Sequence, residues 1–512
     1  MAELLSSGFD PVAFHARFRP QAIACVDLAS GASYTYRRLC ADADACARSL
    51  VERLGNAHGA RIAVVSRNSA LLAVITLACD RAGAIFVPLN WRLTATELAV
   101  LLKDSEPGLI LRQEEFATTV EEAAELAGCT ALRLSPEDVA RPSERGESGE
   151  NDAAGLTPAA FEGPSILLYT SGTTGRPKGV IITRWNALFS ALNFVAVAKL
   201  TPDSVLLCDS PMFHTVGLIA ITRSALFHGA CVLISDRFVP SKSIARLSDP
   251  GLGITHYFVV PQMIEALLAD PSFAAADLSR MTALFSGGGP LSPNLVLQCQ
   301  RRGVLLVNGF GMSEVGSAMH MPLDADYMAT NAHSVGFAAP FIEFMLADPD
   351  GKAVARGETG EILVRGPSVS PGYWRQEEAT RASRSGDWFR SGDLARQQAD
   401  GSYVIVDRLK DMYISGGENV YPAEVEAVLR EAPGVADAAV VGIADERWGE
   451  VGCAFVQAAQ PGAPDEQAIR NHCQGRLARF KQPAYIRFVD ALPRTGSGKV
   501  RKDLLRKQFQ SS

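Results

Sequence analysis

Short apolar runs alternate with helix-length stretches over about the first 400 residues, and that alternation leaves few folds open. Arg61-Ile-Ala-Val-Val65 precedes a helical pattern over 69–82, and Ile85-Phe-Val-Pro88 precedes another over 94–103. Repeated strand-then-helix units predict α/β layering. Further on, Met281-Thr-Ala-Leu-Phe285 and Gly303-Val-Leu-Leu-Val307 read as strands that run into Gly-rich polar segments, Ser286-Gly-Gly-Gly-Pro290 and Asn308-Gly-Phe-Gly-Met-Ser-Glu314. In open α/β sheets, ligands sit beyond such strand ends. From Glu361 the β segments shorten (Glu361-Ile-Leu-Val364, Ser402-Tyr-Val-Ile-Val406). After Lys410 the pattern resembles a compact α+β module, with a helix opened by Tyr421-Pro-Ala-Glu and a strand over Ala436–Val441. A chain of 512 residues exceeds one ordinary core. The expectation is a large N-terminal domain of several subdomains, 1–408, with layered sheets and helices, and a small mobile α+β domain, 409–512. The stretch from Pro136 to Gly163, rich in Ser, Glu, Pro and Gly, is expected to be an exposed connection.

Composition narrows the partners. The formal net charge is −7 and no basic tail is present, which argues against nucleic acid or an anionic membrane surface and for a small molecule. Ten cysteines are scattered without a C-x-x-C pair, so neither a zinc site nor a disulfide framework is signalled. The first residues lack a basic segment followed by an apolar one, and Arg223 interrupts the nearest candidate for a membrane span, Val216 to Phe227. No integral membrane segment is expected, and a cytoplasmic location is the default. A homodimer stays open.

The densest chemistry follows the apolar strand Ser165-Ile-Leu-Leu-Tyr169. Thr170, Ser171, Thr173 and Thr174 offer hydroxyl donors there, while Gly172, Gly175 and Gly179 let backbone N–H groups approach an anion. Lys178 adds a point charge. The order is wrong for a Walker A loop, because Lys178 follows Pro177 and precedes Gly179. Glu314, just after a strand end, suits a Mg²⁺ held between phosphate oxygens. Phe310, between two glycines, presents a ring on which a base can stack. Asp393 in Ser391-Gly-Asp can accept hydrogen bonds from both hydroxyls of a ribose.

The loop at 170–179, Pro211-Met-Phe-His-Thr-Val-Gly217, Asn308–Glu314, Ser391-Gly-Asp393, Asp407-Arg-Leu-Lys-Asp411 and Pro493-Arg-Thr-Gly-Ser-Gly-Lys499 occur in the order used by the adenylate-forming superfamily, which the chain resembles from its first strand to its last lysine. That family includes acyl-CoA synthetases, luciferases and peptide-synthetase adenylation domains. The resemblance implies ATP, Mg²⁺ and CoA as cofactors and a carboxylic acid as substrate. It implies a nucleotide site of Thr170, Ser171, Gly172, Thr173, Thr174, Lys178, Gly288, Gly289, Asn308, Gly309, Phe310, Gly311, Met312, Ser313, Asp393 and Arg408. Glu314 and Thr170 would attend the metal, and Ser313 stands where the family usually has Thr. Lys499 resembles the adenylation lysine that bridges the carboxylate and the α-phosphate. The need for cations is plain: like unit charges about 4 Å apart repel by about 1 kcal/mol in water and about 4 kcal/mol at an effective dielectric near 20.

By the same resemblance, the small domain turns about Lys410 and carries Gly416 and Gly417 towards the acyl-adenylate. Trp448, Arg92 and Phe480 are the further CoA candidates. The acyl pocket would be lined by His214, Val216, Gly217, Gly287, Gly288, Gly311, Met312, Gly316 and Met319. None of these is Arg or Lys, so a dicarboxylate would bury an unpaired charge. A largely apolar monocarboxylic acid, aryl or medium-chain, fits best. The alternative is a stand-alone adenylation enzyme that loads a carrier protein.

Overall fold

The computed structural model describes residues 10–140, 160–170, 177–288, 291–415, 418–460, 464–474, 476–495 and 498–510. The chain divides into two compact units, one of residues 1–343 and 365–387, the other of 344–364 and 388–512. The smaller unit thus starts well before residue 409 and is built from two separate segments.

The larger unit carries two sheets. The six-stranded sheet runs in the order Leu132–Leu134, Leu109–Arg112, Arg61–Val65, Ile85–Leu89, Pro164–Thr170, Lys178–Thr183. Its first five strands are parallel, and the last returns antiparallel. Period-two alternation explains why these strands read as continuous apolar runs. Ile62 and Val64 enter one core, and Ala63 and Val65 enter another on the opposite face. Helices Ala95–Ser105 and Ala117–Ala127 cover the second face through Leu98, Leu101, Leu102, Val120 and Ala123.

Nine strands form the other sheet: Phe337–Ala338, Gly316–His320, Leu306–Met312, Ala283–Ser286, His256–Val259, Val205–Cys208, Cys231–Ile234, Ile23–Asp27 and Ser33–Thr35. Helix Ala70–Ala82 packs into the core to which both sheets contribute, and it is apolar nearly all round because every residue but Leu71 is buried. Its polar Asp80 meets Arg223 and Ser165, a buried pair with a hydroxyl donor. Arg223 therefore breaks the apolar run for a reason of packing. No helix among the described residues is long and apolar enough to cross a membrane.

In the smaller unit, Thr359–Arg365, Trp388–Gln397 and Tyr403–Arg408 pair antiparallel. Beyond them Tyr413–Ser415, Glu418–Val420, Val435–Asp445, Gly449–Ala458 and Tyr485–Val489 build a second sheet, flanked by helices Pro422–Arg430, Glu466–Cys473 and Lys502–Gln510.

Two expectations need correction. The strand read as 303–307 lies at Leu306–Met312 and runs through the Gly-rich segment, because Gly316–His320 pairs with it and supplies its hydrogen bonds. The stretch from Pro136 is not uniformly exposed: Pro136–Val139 is a helix opened by a Ser135/Asp138 capping box, with Pro136 and Val139 buried. Residues 141–159 lie outside the described residues.

Candidate active site

Two hairpins of the larger unit carry Thr170, Lys178 and residues 308–314 of the predicted nucleotide and metal set. In the first, Thr170 and Lys178 face each other across the antiparallel pair, and the Thr170 hydroxyl points at the Lys178 carbonyl, 3.5 Å away. Ser171, Gly172, Thr173 and Thr174 lie outside the described residues, as do Gly289, Gly416 and Gly417. The second hairpin pairs Gly309 with His320, Phe310 with Met319 and Met312 with Gly316, and Glu314 sits in its turn. A side chain at 311 is barred there, since a Cβ would stand 2.5 Å from the Gly316 carbonyl oxygen. Phe310 is half-buried. Asn308 is buried and donates its side-chain amide to the Ser334 carbonyl at 2.9 Å, so that hydrogen is committed to the fold and not to an adenine edge. Gly288 is exposed with φ of +83°.

Glu314 is only 8% exposed. The Tyr373 hydroxyl donates to its Oε1 at 3.0 Å, and the Ser370 amide donates to its main-chain oxygen at 2.7 Å. No group of three or more His, Cys, Asp or Glu that could hold a metal occurs among the described residues. A single held carboxylate suits Mg²⁺, which keeps several waters and takes its remaining ligands from substrate phosphates.

The segment at 211–217 joins this hairpin through the Thr215 hydroxyl, which donates to Ser313 Oγ at 3.0 Å. His214 follows a turn in which its amide bonds the Pro211 carbonyl at 3.1 Å, and its ring lies 4.6 Å from that of Phe213. From Val216 to Arg223 the chain is π-helical, a form frequent at functional sites. Gly217 permits the close return: a Cβ there would lie 2.4 Å from the Pro211 oxygen. Gly287 lies against the Gly309 carbonyl, and Met319 is fully buried. His320, beside it, is 5% exposed, and neither ring nitrogen has a hydrogen-bond partner among the described residues. Burial pushes its imidazole down to about 4. Arg92 lies over the rings of Trp91 and Phe213, at 4.9 and 5.9 Å.

In the smaller unit, Asp393 and Arg408 are cross-strand partners, with Arg408 Nε 2.7 Å from Asp393 Oδ1. Asp393 is 3% exposed, and its Oδ2 has no hydrogen-bond partner among the described residues. Burial raises the carboxyl, and the charges of Arg408, Lys499 and Lys410 oppose that rise. A buried carboxylate oxygen lacking a donor costs free energy that a ribose hydroxyl can recover, so the residues fit a nucleotide. Lys499 sits on an exposed loop whose main chain closes on Thr495, at 2.8 and 3.2 Å. Trp448 is 47% exposed, and its amide is held by Asp445. Phe480 is partly exposed, and neighbouring Lys481 is paired with Glu424 at 2.7 Å.

Sequence reasoning missed Tyr373, Thr215 and His320. Tyr373 carried a local cue, an aromatic pair after Gly372, and Thr215 lies within the 211–217 motif.

Residues 12–374 match the AMP-binding enzyme family and residues 424–499 the AMP-binding enzyme C-terminal domain. The chain is 37% identical over 494 residues to a feruloyl-CoA synthase of Amycolatopsis, covering 96% of this chain and 97% of that one. It is 36% identical to an indoleacetate–CoA ligase of Aromatoleum aromaticum, covering 89% and 91%. Among solved structures, o-succinylbenzoate CoA synthetase of Bacillus subtilis in complex with its acyl-adenylate superposes with a TM-score of 0.86 at 28% identity, covering 98% of each chain. CoA, not a carrier protein, is the acceptor named in these relatives. The chain belongs to the AMP-binding enzymes, the adenylate-forming superfamily, and works with ATP, Mg²⁺ and CoA.

Proposed function

We propose that this acid–CoA ligase activates a largely apolar monocarboxylic acid, aryl in class, as an acyl-adenylate with release of pyrophosphate, and then transfers the acyl group to CoA as a thioester. The carrying observation is the uncharged pocket set: His214, Val216, Gly217, Gly287, Gly288, Gly311, Met312, Gly316 and Met319 offer no cation to a second carboxylate. The aryl relatives support the same choice. Glu314 would hold Mg²⁺, which when bound would supply charge to offset that of the phosphates. Lys178, with the hydroxyl-rich loop at 170–174, holds the β- and γ-phosphates, and Asp393 with Arg408 holds the ribose. Lys499 stabilises the charge that builds between the carboxylate and the α-phosphate. His214 gates the acyl pocket and polarises the carboxylate. The domain from 409 then turns about Lys410, withdrawing Lys499 and presenting the 416–417 glycines, with Trp448, Phe480 and Arg92 as CoA contacts.

A panel of aryl-propenoic, arylacetic and benzoic acids, hexanoic to decanoic acids, malonate and amino acids tests this, with pyrophosphate release and thioester formation measured separately. Aryl acids are expected to give the highest kcat/KM, and malonate and amino acids none. Turnover of malonate or of an amino acid, or thioester formation confined to alkanoic acids, overturns the aryl reading.

A further inference from the structure

The candidate phosphate hairpin and the candidate metal carboxylate share one strap, the segment 366–376, which belongs to the same unit as both. On one side the strap lies along the strand Lys178–Thr183. Trp374 donates its amide to the Gly179 carbonyl at 2.7 Å, Ile181 donates to the Gly372 carbonyl at 3.0 Å, and Val180 bridges Tyr373. Gln376 reaches the Pro177 carbonyl at 3.2 Å. On the other side, Ser370 binds the main chain of Glu314.

Tyr373 stands where the two sides meet. Its hydroxyl donates to Glu314 Oε1 at 3.0 Å, and the Nζ of Lys178 lies 4.8 Å from the centre of its ring. The Tyr373 amide is in turn fixed by the Thr380 hydroxyl, whose oxygen accepts from it at 2.9 Å. Backbone and ring are therefore held independently of the nucleotide.

We infer that Tyr373 is a positioning residue for adenylation: its hydroxyl sets the plane of the Glu314 carboxylate, and its ring seats the Lys178 ammonium, so that metal and phosphate contacts are held in one geometry. This rests on the reading of Glu314 as the metal carboxylate. A hydrogen bond to a charged acceptor and a cation over an aromatic face are separable by substitution. Tyr373→Phe removes the first and keeps the second, and Tyr373→Leu removes both.

The test measures Mg²⁺ dependence in two ways: the half-saturating Mg²⁺ for pyrophosphate release, and the Mg²⁺-dependent thermal shift of the protein with a non-hydrolysable ATP analogue. Tyr373→Phe is expected to raise the half-saturating Mg²⁺ by about tenfold in both readouts, with analogue binding in the absence of Mg²⁺ unchanged. Tyr373→Leu is expected to weaken that metal-free binding as well, by about threefold to tenfold. A lowered melting temperature in Tyr373→Phe with an unchanged Mg²⁺ dependence overturns the proposal, provided Glu314→Gln shifts that dependence. If Glu314→Gln leaves it unchanged too, the metal assignment fails and takes the proposal with it.

Discussion

His320 offers a direct measure of how dry the wall behind the second hairpin is. Its ring lies 6.0 Å from that of Phe194 and 6.5 Å from that of Phe285, with no hydrogen bond at either nitrogen among the described residues. The imidazole is lowered from 6.5 to about 4, with burial as the cause. For a base lowered on folding, the stabilising contribution is complete above 6.5 and is lost as pH falls towards 4. The gap is worth about 3 kcal/mol when fully realised, and about 2 kcal/mol of it is lost between about pH 7.5 and about pH 5. Replacing His320 with Leu removes the titrating group and leaves no unsatisfied ring nitrogen, so little stability is lost at neutral pH. Native-state hydrogen exchange of peptides covering 306–320, measured at both pH values, reads the local opening free energy. The wild-type protein should lose about 2 kcal/mol more than His320→Leu over that interval. Equal losses in the two proteins would refute the reasoning, because every other titrating group is common to both.

Lys499→Ala should abolish ATP-dependent adenylation yet leave thioester formation from pre-made acyl-adenylate largely intact, as measured by the two half-reactions; equal loss of both rejects the turning lid. Asp393→Asn should raise the KM for ATP by about tenfold or more, the worth of hydrogen bonds to a charged acceptor; an equal change with the 2′,3′-dideoxy nucleotide as substrate would show that ribose contact is not the cause. Burial raises Asp407 to about 6, against opposition from Lys502, so the folded state holds a proton that the unfolded state lacks between about 4 and 6. Its contribution favours folding more as pH falls through that window, and Asp407→Asn should flatten the dependence by about 2 kcal/mol in urea unfolding.

The strands Arg61–Val65 and Ile85–Leu89 were legible because both faces of their sheet are covered, which leaves runs of buried apolar residues in the sequence. The strand Leu306–Met312 was not legible beyond residue 307. Its second half is glycine-rich, and it becomes a strand only because Gly316–His320 lies beside it, at a closeness that Gly311 must allow. Motif order located the site residues, but not what holds them. Glu314 meets Tyr373 across 59 positions, and Asn308 spends its amide on Ser334. Such pairings depend on tertiary placement, which local spacing does not encode. His320 gives no periodic signal at all, since a histidine in a buried strand looks like any other polar interruption.

The module beyond residue 410 keeps its apolar residues to itself. Among the described residues, one of its buried clusters gathers Tyr413, Val425, Leu429, Val440, Val456 and Ile486, and another gathers Val441, Cys453, Phe455, Leu492 and Leu505. What it shares with the preceding sheet includes the bond from the Ala423 amide to Asp407 at 2.8 Å and the attraction between Lys499 and Asp393. The proposed turn of this module about Lys410 would break polar contacts of that kind, which water can replace at about 1 kcal/mol net each, and would open neither of these apolar clusters. A turn of that kind leaves little intramodule apolar packing for the differential binding of the substrates to overcome.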